Sequence, residues 1–399
     1  MVRLLLFTVL AVNFYIIGVL AETCTLKFNK AKPGLFTAKV DKNDIIQDPQ
    51  KGFIKFDSSS GLDTYCSTGF RNYAAITTSK LVYQLKFTCS AGSLMYQTPE
   101  GTSMELANND GNLLCEDEAQ YYIQTVQYCK NTGLVYGFNV GNTTSISFAE
   151  ICYDLKNYRA EFVHYVAGVR TKLVDNQFDF NPNNSTKSFP AFKSYTTDDK
   201  IFLEEYKNLP VALRMKAANY ANLMTSRIAN LIPVEQIAGI MEPYVSSFRN
   251  MGAIAWWSNL LDYNWRQLQY LIRDLSQVGW YEVYAGFSDE VALPSEGRNL
   301  SFTYEVSISP LQTLSRSIPL YVWNYVKKGD NKDSGVVIIG VNSPFFSNEA
   351  KEAVFCQDIC DKISWMNPLK NTRKFATMGY IFCCHPQDVK TRLTGFPLI

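Results

Sequence analysis

Ten cysteines, and where they stand, constrain this chain more than any other feature. They are Cys24, Cys66, Cys89, Cys115, Cys129, Cys152, Cys356, Cys360, Cys383 and Cys384, and all follow the leader MVRLLLFTVLAVNFYIIGVLA. Arg3 supplies a positive start, an apolar run follows, and Ala21 ends it in small-residue style, so residues 1–21 read as a secretory signal peptide. An uncleaved membrane anchor is the alternative, but the run is short for a span and Asn13 breaks it. An even number of cysteines in an exported chain reads as disulfides, five if all are paired. A zinc site from Cys356, Cys360, Cys383 and Cys384 is the competing reading. Two adjacent cysteines suit a tetrahedral site poorly.

Residues 22–137 read as a β-rich N-terminal domain. Short runs such as Thr25–Phe28, Gly52–Phe56 and Leu81–Phe87 alternate apolar and polar residues between Gly, Asn, Asp and Ser clusters. This part holds Cys24, Cys66, Cys89, Cys115 and Cys129, an odd number, so one bridge is expected to leave it, with Cys152 the obvious partner. Residues 138–399 form the second part. Strands are expected at 146–148, 160–166, 320–326 and 335–341, and a polar loop over 175–200. Leu261, Trp265, Leu268, Ile272 and Leu275 recur at spacings of three and four, which predicts a helix with one face in a core. Residues 355–384 read as a disulfide-tied cap. Sequons at Asn142, Asn183, Asn184 and Asn299 mark expected surface glycosylation sites.

Lys plus Arg number 38 against 37 Asp plus Glu, so no overall basic excess advertises a polyanion partner. A local patch must carry any such binding. Only two histidines occur, His164 and His385, in a strand-like run and beside the cysteine pair, and both read as structural.

The central segment MTSRIANLIPVEQI (224–237), the segment EICYDLKNYRAEFVHYV, the Trp-bearing helix, VVIIGVNSPFF, CQDIC and GYIFCC follow one another in an order that carries a resemblance. Residues 138–399 resemble the DNA/RNA non-specific endonucleases of the ββα-metal fold in their secreted insect form. Within that family they are most similar to the salivary nuclease-like proteins of tsetse flies. The resemblance implies an α+β fold: a ββα-metal nuclease-like domain behind a small β-rich domain. It also implies a lost active site. The family carries D-R-G-H-x-x-P or S-R-G-H-x-x-P, in which the histidine takes a proton from the attacking water. Anchoring on Pro233 puts Ala229 at the glycine and Asn230 at the histidine, and Arg227 falls one residue early. An amide has no usable basicity. The family's N-x-G-x-W-x-x-x-E helix supplies the Mg²⁺ ligand and a water-orienting glutamate. Anchoring on Trp265 puts Leu261 and Gln269 there. A leucine offers a hard cation no oxygen. No catalytic residue and no metal or cofactor is therefore expected, with Mg²⁺ relevant only to residual activity.

What the resemblance leaves is a grip on phosphates without sequence preference. The expected partner is single- or double-stranded DNA or RNA, host-derived, with no membrane role, for a protein secreted in saliva. Candidate contacts are Arg227, Arg249, Arg266, Arg273, Lys327, Lys328, Lys370, Arg373 and Lys374, each weighed against plain surface charge. Trp256 and Trp257 stack bases only if exposed. Two other readings stay open. One is a weak metal-dependent endonuclease using Glu235 or Asp262. The other is a protein- or ligand-binding protein on a nuclease scaffold.

Overall fold

A computed structural model describes residues 23–29, 35–40, 43–46, 52–59, 61–66, 69–71, 82–97, 101, 103–106, 113–115, 120–124, 129–140, 144–167, 173–175, 211, 226–232, 252–278, 281–295, 298–301, 303–309, 312–328, 335–343 and 353–397. The leader, Asn142, Asn183, Asn184, Glu235, Arg249 and the loop over 176–200 lie outside these. The described residues are mostly β-sheet with few helices, so helix content falls short of an α+β expectation. Among them, no helix is long and apolar enough to cross a membrane.

The N-terminal part holds a six-stranded sheet and a separate pair, Thr23–Lys27 against Phe53–Asp57. Strict alternation in Gln84–Ser90 sends Leu85, Phe87 and Cys89 inward and the intervening residues outward, as a period of two requires. These residues pack with Leu26, Ile54, Phe56, Leu62 and Tyr96. Cys24–Cys89 and Cys66–Cys115 tie this small core.

The larger part is built on a nine-stranded antiparallel sheet. Its path runs Gln120–Gln124, Thr132–Val140, Thr144–Asp154, Arg159–Ala167, Tyr281–Ser288, Tyr321–Lys328, Val336–Val341 and Ile381–Cys384, with Leu173–Asp175 added beside Thr144–Asp154. Two strands N-terminal to residue 138 or spanning it, Gln120–Gln124 and Thr132–Val140, belong to this sheet. The sheet thus reaches back past the sequence division at 137/138, towards Cys115. Cys129–Cys152 fastens that stretch to the Thr144–Asp154 strand, the bridge that cysteine parity called for.

Both faces of the sheet are covered, which is why its central strands read as continuous apolar runs. In Tyr321–Lys328, Val322 and Val326 face one core, whereas Tyr321, Trp323 and Tyr325 face the other. The second core is closed by the C-terminal residues Val389, Leu393 and Phe396. The first is closed by a strand pair and helix, Ser226–Asn230, Ala253–Trp257 and the helical run 258–278. Gly340 allows close packing there: a Cβ would sit 3.0 Å from the Trp265 ring and 3.1 Å from Leu260, tighter than ordinary contact.

The cap over 353–384 is held by Cys356–Cys384 and Cys360–Cys383. All four cysteines of the alternative zinc reading are spent in these bridges.

Candidate functional site

The segment that carries the sequence motif forms an antiparallel pair in which Ser226 opposes Trp257, Arg227 opposes Trp256 and Asn230 opposes Ala253. The helical run begins directly at Ser258 and packs across the pair. Trp256 and Trp257 are buried, so neither is available to stack bases. The Trp256 indole instead meets Trp265 at 5.5 Å between centroids and donates its Nε1–H to the Ala229 carbonyl at 3.0 Å. The Asn342 amide anchors the second strand to the sheet. Its Oδ1 accepts from the Trp257 N–H at 2.6 Å, and its Nδ2 donates to the carbonyls of Ala255 and Pro319 at 3.0 and 2.8 Å. Sequence reasoning quoted VVIIGVNSPFF without assigning Asn342 this role. Its burial, which only the structure shows, is what marks it.

The helix is not uniform. Ser258–Leu260 is α-helical, Leu261–Trp265 is a π turn, and Arg266–Val278 is α-helical again. A π turn accommodates one extra residue. The fully buried stripe is therefore Leu260, Trp265, Leu268 and Ile272, while Leu261, the expected first member, is half-buried. Anchored on Trp265, the position that a regular helix assigns to Leu261 passes to Leu260. Both are leucines, so neither register supplies an oxygen ligand. Two asparagines flank them, but each amide holds the cap. Asn259 Nδ2 donates to the Thr377 carbonyl at 2.8 Å, and Asn264 Nδ2 donates to those of Gly379 and Thr372 at 2.6 and 2.9 Å.

Asn230 ends the first strand. Its Oδ1 accepts from the Ile232 N–H at 3.0 Å and lies where a Cβ on Gly252 would intrude at 2.6 Å. The side chain folds onto its own turn, a common use for asparagine. Gln269 is buried on the core side of the helix. The three positions thus hold a turn-making amide, an apolar side chain and a buried amide.

Charge gathers at the near end of the strand pair. Arg227 Nη2 contacts Asp262 Oδ1, and Arg266 Nη2 lies 3.4 Å from the same oxygen. Two guanidiniums share one carboxylate, and they remain 34% and 48% exposed. Arg273, two turns further along the helix, is exposed, pairs with Asp274 at 3.1 Å and lies 5.0 Å over the Tyr270 ring. Lys328 and Lys370 are exposed, and Lys374 reaches Asp361 at 3.5 Å.

Two expected contacts are corrected by burial. Arg373 is 1% exposed and donates to Asp358 Oδ2 at 2.6 Å, Asp361 Oδ1 at 2.8 Å and the Ile381 carbonyl at 3.2 Å. Burial would lower the Arg373 pKa, but the bonds to Asp361 and Asp358 outweigh it and raise it, while the same bond holds the Asp361 carboxyl below its usual range. Lys327 is also buried, 2.6 Å from Glu282 and over the Tyr284 ring. Neither cation is turned to solvent. His164 lies in the sheet, Nδ1 3.2 Å from Glu150 Oε2 and its ring stacked on Tyr284, whereas His385 is exposed before the short helix Pro386–Val389. Among the expected glycosylation sites, Asn299 lies in the Arg298–Ser301 strand.

A separate cavity of about 540 Å³ opens beyond Ala253 and Ile254. Arg159, Glu161, Asp289, Tyr304 and Arg316 line it, and none of the sequence-predicted site residues does. Burial raises the Glu161 carboxyl above its usual range, and burial likewise raises Tyr304 against the opposing pull of Arg316.

No protein-family model matches the chain. It is 26% identical over 155 residues to salivary protein Tsal1 of Glossina morsitans morsitans. The matched stretch covers 38% of this chain and 36% of that protein, so the chain aligns with about a third of that relative's length. This weak relation, together with five disulfides, is consistent with a secreted protein.

Proposed function

We propose that this protein is a secreted, saliva-type nucleic-acid-binding protein on a ββα-metal nuclease scaffold, one that grips DNA or RNA through phosphates and cuts it little or not at all. The observation that carries this reading is the content of the strand–strand–helix unit. It carries the Arg227–Asp262–Arg266 cluster, two cations to one carboxylate, each partly open to solvent. The positions that the resemblance assigns to a base and a metal ligand hold Asn230 and leucine. Losing a general base costs about 10²- to 10⁴-fold, and losing the metal removes the clamp on the scissile phosphate. A grip on phosphate needs neither. Sequence likeness to a salivary protein supports the secreted setting.

The test is the salt dependence of binding. Arg227→Glu with Arg266→Glu should weaken binding to duplex DNA across all sequences and flatten the plot of log K against log[salt] by about two phosphate contacts. An unchanged slope removes this cluster from the interface. The residual-nuclease reading is weakened by Asp262, whose carboxylate is already shared between two arginines. The cavity favours a second reading. Its volume falls within the range of about 300–1,000 Å³ typical of small-molecule sites, and its mixed charges suit a polar ligand. That reading predicts binding that salt barely alters.

A further inference from the structure

The helical run and the cap meet along one hydrogen-bonded seam. Asn259 and Asn264 each donate to cap carbonyls. Between them Leu260 sits on Gly379, where a Cβ would lie 2.5 Å from the Leu260 Cα. Gly379 also has φ +86°, which favours glycine. Residues 259–264 and 372–379 are thereby locked together. From each side of the seam one large aromatic stands out into solvent: Tyr263 is 52% exposed and Phe375 is 54% exposed. Tyr263 follows Asn259 by four residues across the π turn, close to one full rotation, so it rises on the side that Asn259 turns toward the cap.

Single exposed aromatics are ordinary. Here two stand on clamped elements amid cations. Arg266 is half exposed, and Lys370 and Lys374 are exposed. From Lys362 to Gln387 the chain carries four Lys or Arg residues and no Asp or Glu. Of the nearby carboxylates, Asp262 is engaged by Arg227 and Arg266, and Asp361 by the buried Arg373, with Lys374 at 3.5 Å from it. Aromatic faces beside cations are what unpaired bases stack on while their phosphates are held. A duplex keeps its bases inside and offers such rings nothing.

We propose that Tyr263 and Phe375 form a base-stacking platform for single-stranded DNA or RNA, with Arg266, Lys370 and Lys374 holding the adjoining phosphates. This rests on the nucleic-acid-binding reading above and adds a strand preference to it. The experiment measures anisotropy of labelled oligothymidylate, oligouridylate and a mixed-sequence duplex with the purified protein. Tyr263→Leu with Phe375→Leu keeps apolar bulk but removes both rings. It should weaken single-strand binding on the order of a hundredfold, about tenfold per ring, and leave duplex binding within about twofold. Tyr263→Trp with Phe375→Trp should keep or tighten single-strand binding, and it guards against a loss caused by misfolding. Equal weakening on single strand and duplex, or no weakening on either, overturns the platform while leaving the general reading standing. A wild-type protein that binds none of the three probes at low salt overturns both.

Discussion

The strand–strand–helix unit and the disulfide-tied cap each pair arginine with carboxylate, to opposite effect. In the cap, Arg373 is sunk beneath the surface and held by Asp358, Asp361 and a carbonyl. Its charge serves the fold. In the unit, Arg227 and Arg266 share Asp262 at the surface, two cations to one carboxylate among the described residues. Each region, 226–278 and 353–384, carries four Lys or Arg residues along the chain. Burial and the count of partners decide which cation can meet a phosphate. Surface ion pairs contribute little to stability, so what the unit loses by a substitution should appear in binding, and what the cap loses should appear in folding.

The largest expected effect tests the cap side of this contrast. Arg373→Met should destabilise the protein by about 3 kcal/mol in urea unfolding. That is the low end of what breaking a buried pair costs, because Asp361 is well exposed. Binding per folded molecule should hold. Unaltered stability with weakened binding would reverse the assignment of the two regions.

The next expectation concerns chemistry. Asn230→His restores a basic side chain at the strand end but supplies no metal ligand on the helix. Groups that act as a unit do not rescue singly. Plasmid nicking with Mg²⁺ should therefore stay at the wild-type level. Appreciable cutting would mean that a metal binds through residues other than those near Leu260 and Leu261.

The smallest effect sharpens the unit side. Asp262→Asn removes the carboxylate shared by Arg227 and Arg266 and should tighten duplex binding by about two- to tenfold at low salt, with the gain shrinking as salt rises. Weaker binding would mean that Asp262 positions the arginines rather than competing for them.

Much of the sheet was legible because its rule is simple. Residues 321–326, apart from Asn324, and 336–341 are apolar on both faces and read as central strands. Cysteine parity foretold the Cys129–Cys152 bridge. Which sheet a short strand joins was not legible, since short alternating strands look alike, and Thr132–Val140, which spans residue 137, pairs in the larger one. The helix was legible from its apolar spacing, but the π turn was not. One extra residue inside a stripe reads as noise until the buried side is seen to run through Leu260. The candidate site was legible as segments, the strand that ends at Asn230 and the helix that carries Trp265. Its cations were not sorted. Arg373 and Lys327 carry charge in sequence exactly as Lys328 does, and only packing shows that they are buried. Asn342, which pins the second strand, was passed over because an asparagine after a strand ordinarily marks a turn.

One measurement bears most directly on the central claim, that the grip outlives the cutting. The purified protein is mixed with supercoiled plasmid and Mg²⁺ over a range of salt and run on a gel, before and after protein is stripped from the DNA. The account predicts a shift that fades steeply as salt rises, and plasmid that is still supercoiled once the protein is removed. Nicked or linear plasmid would contradict the loss of chemistry, and no shift at low salt would contradict the grip.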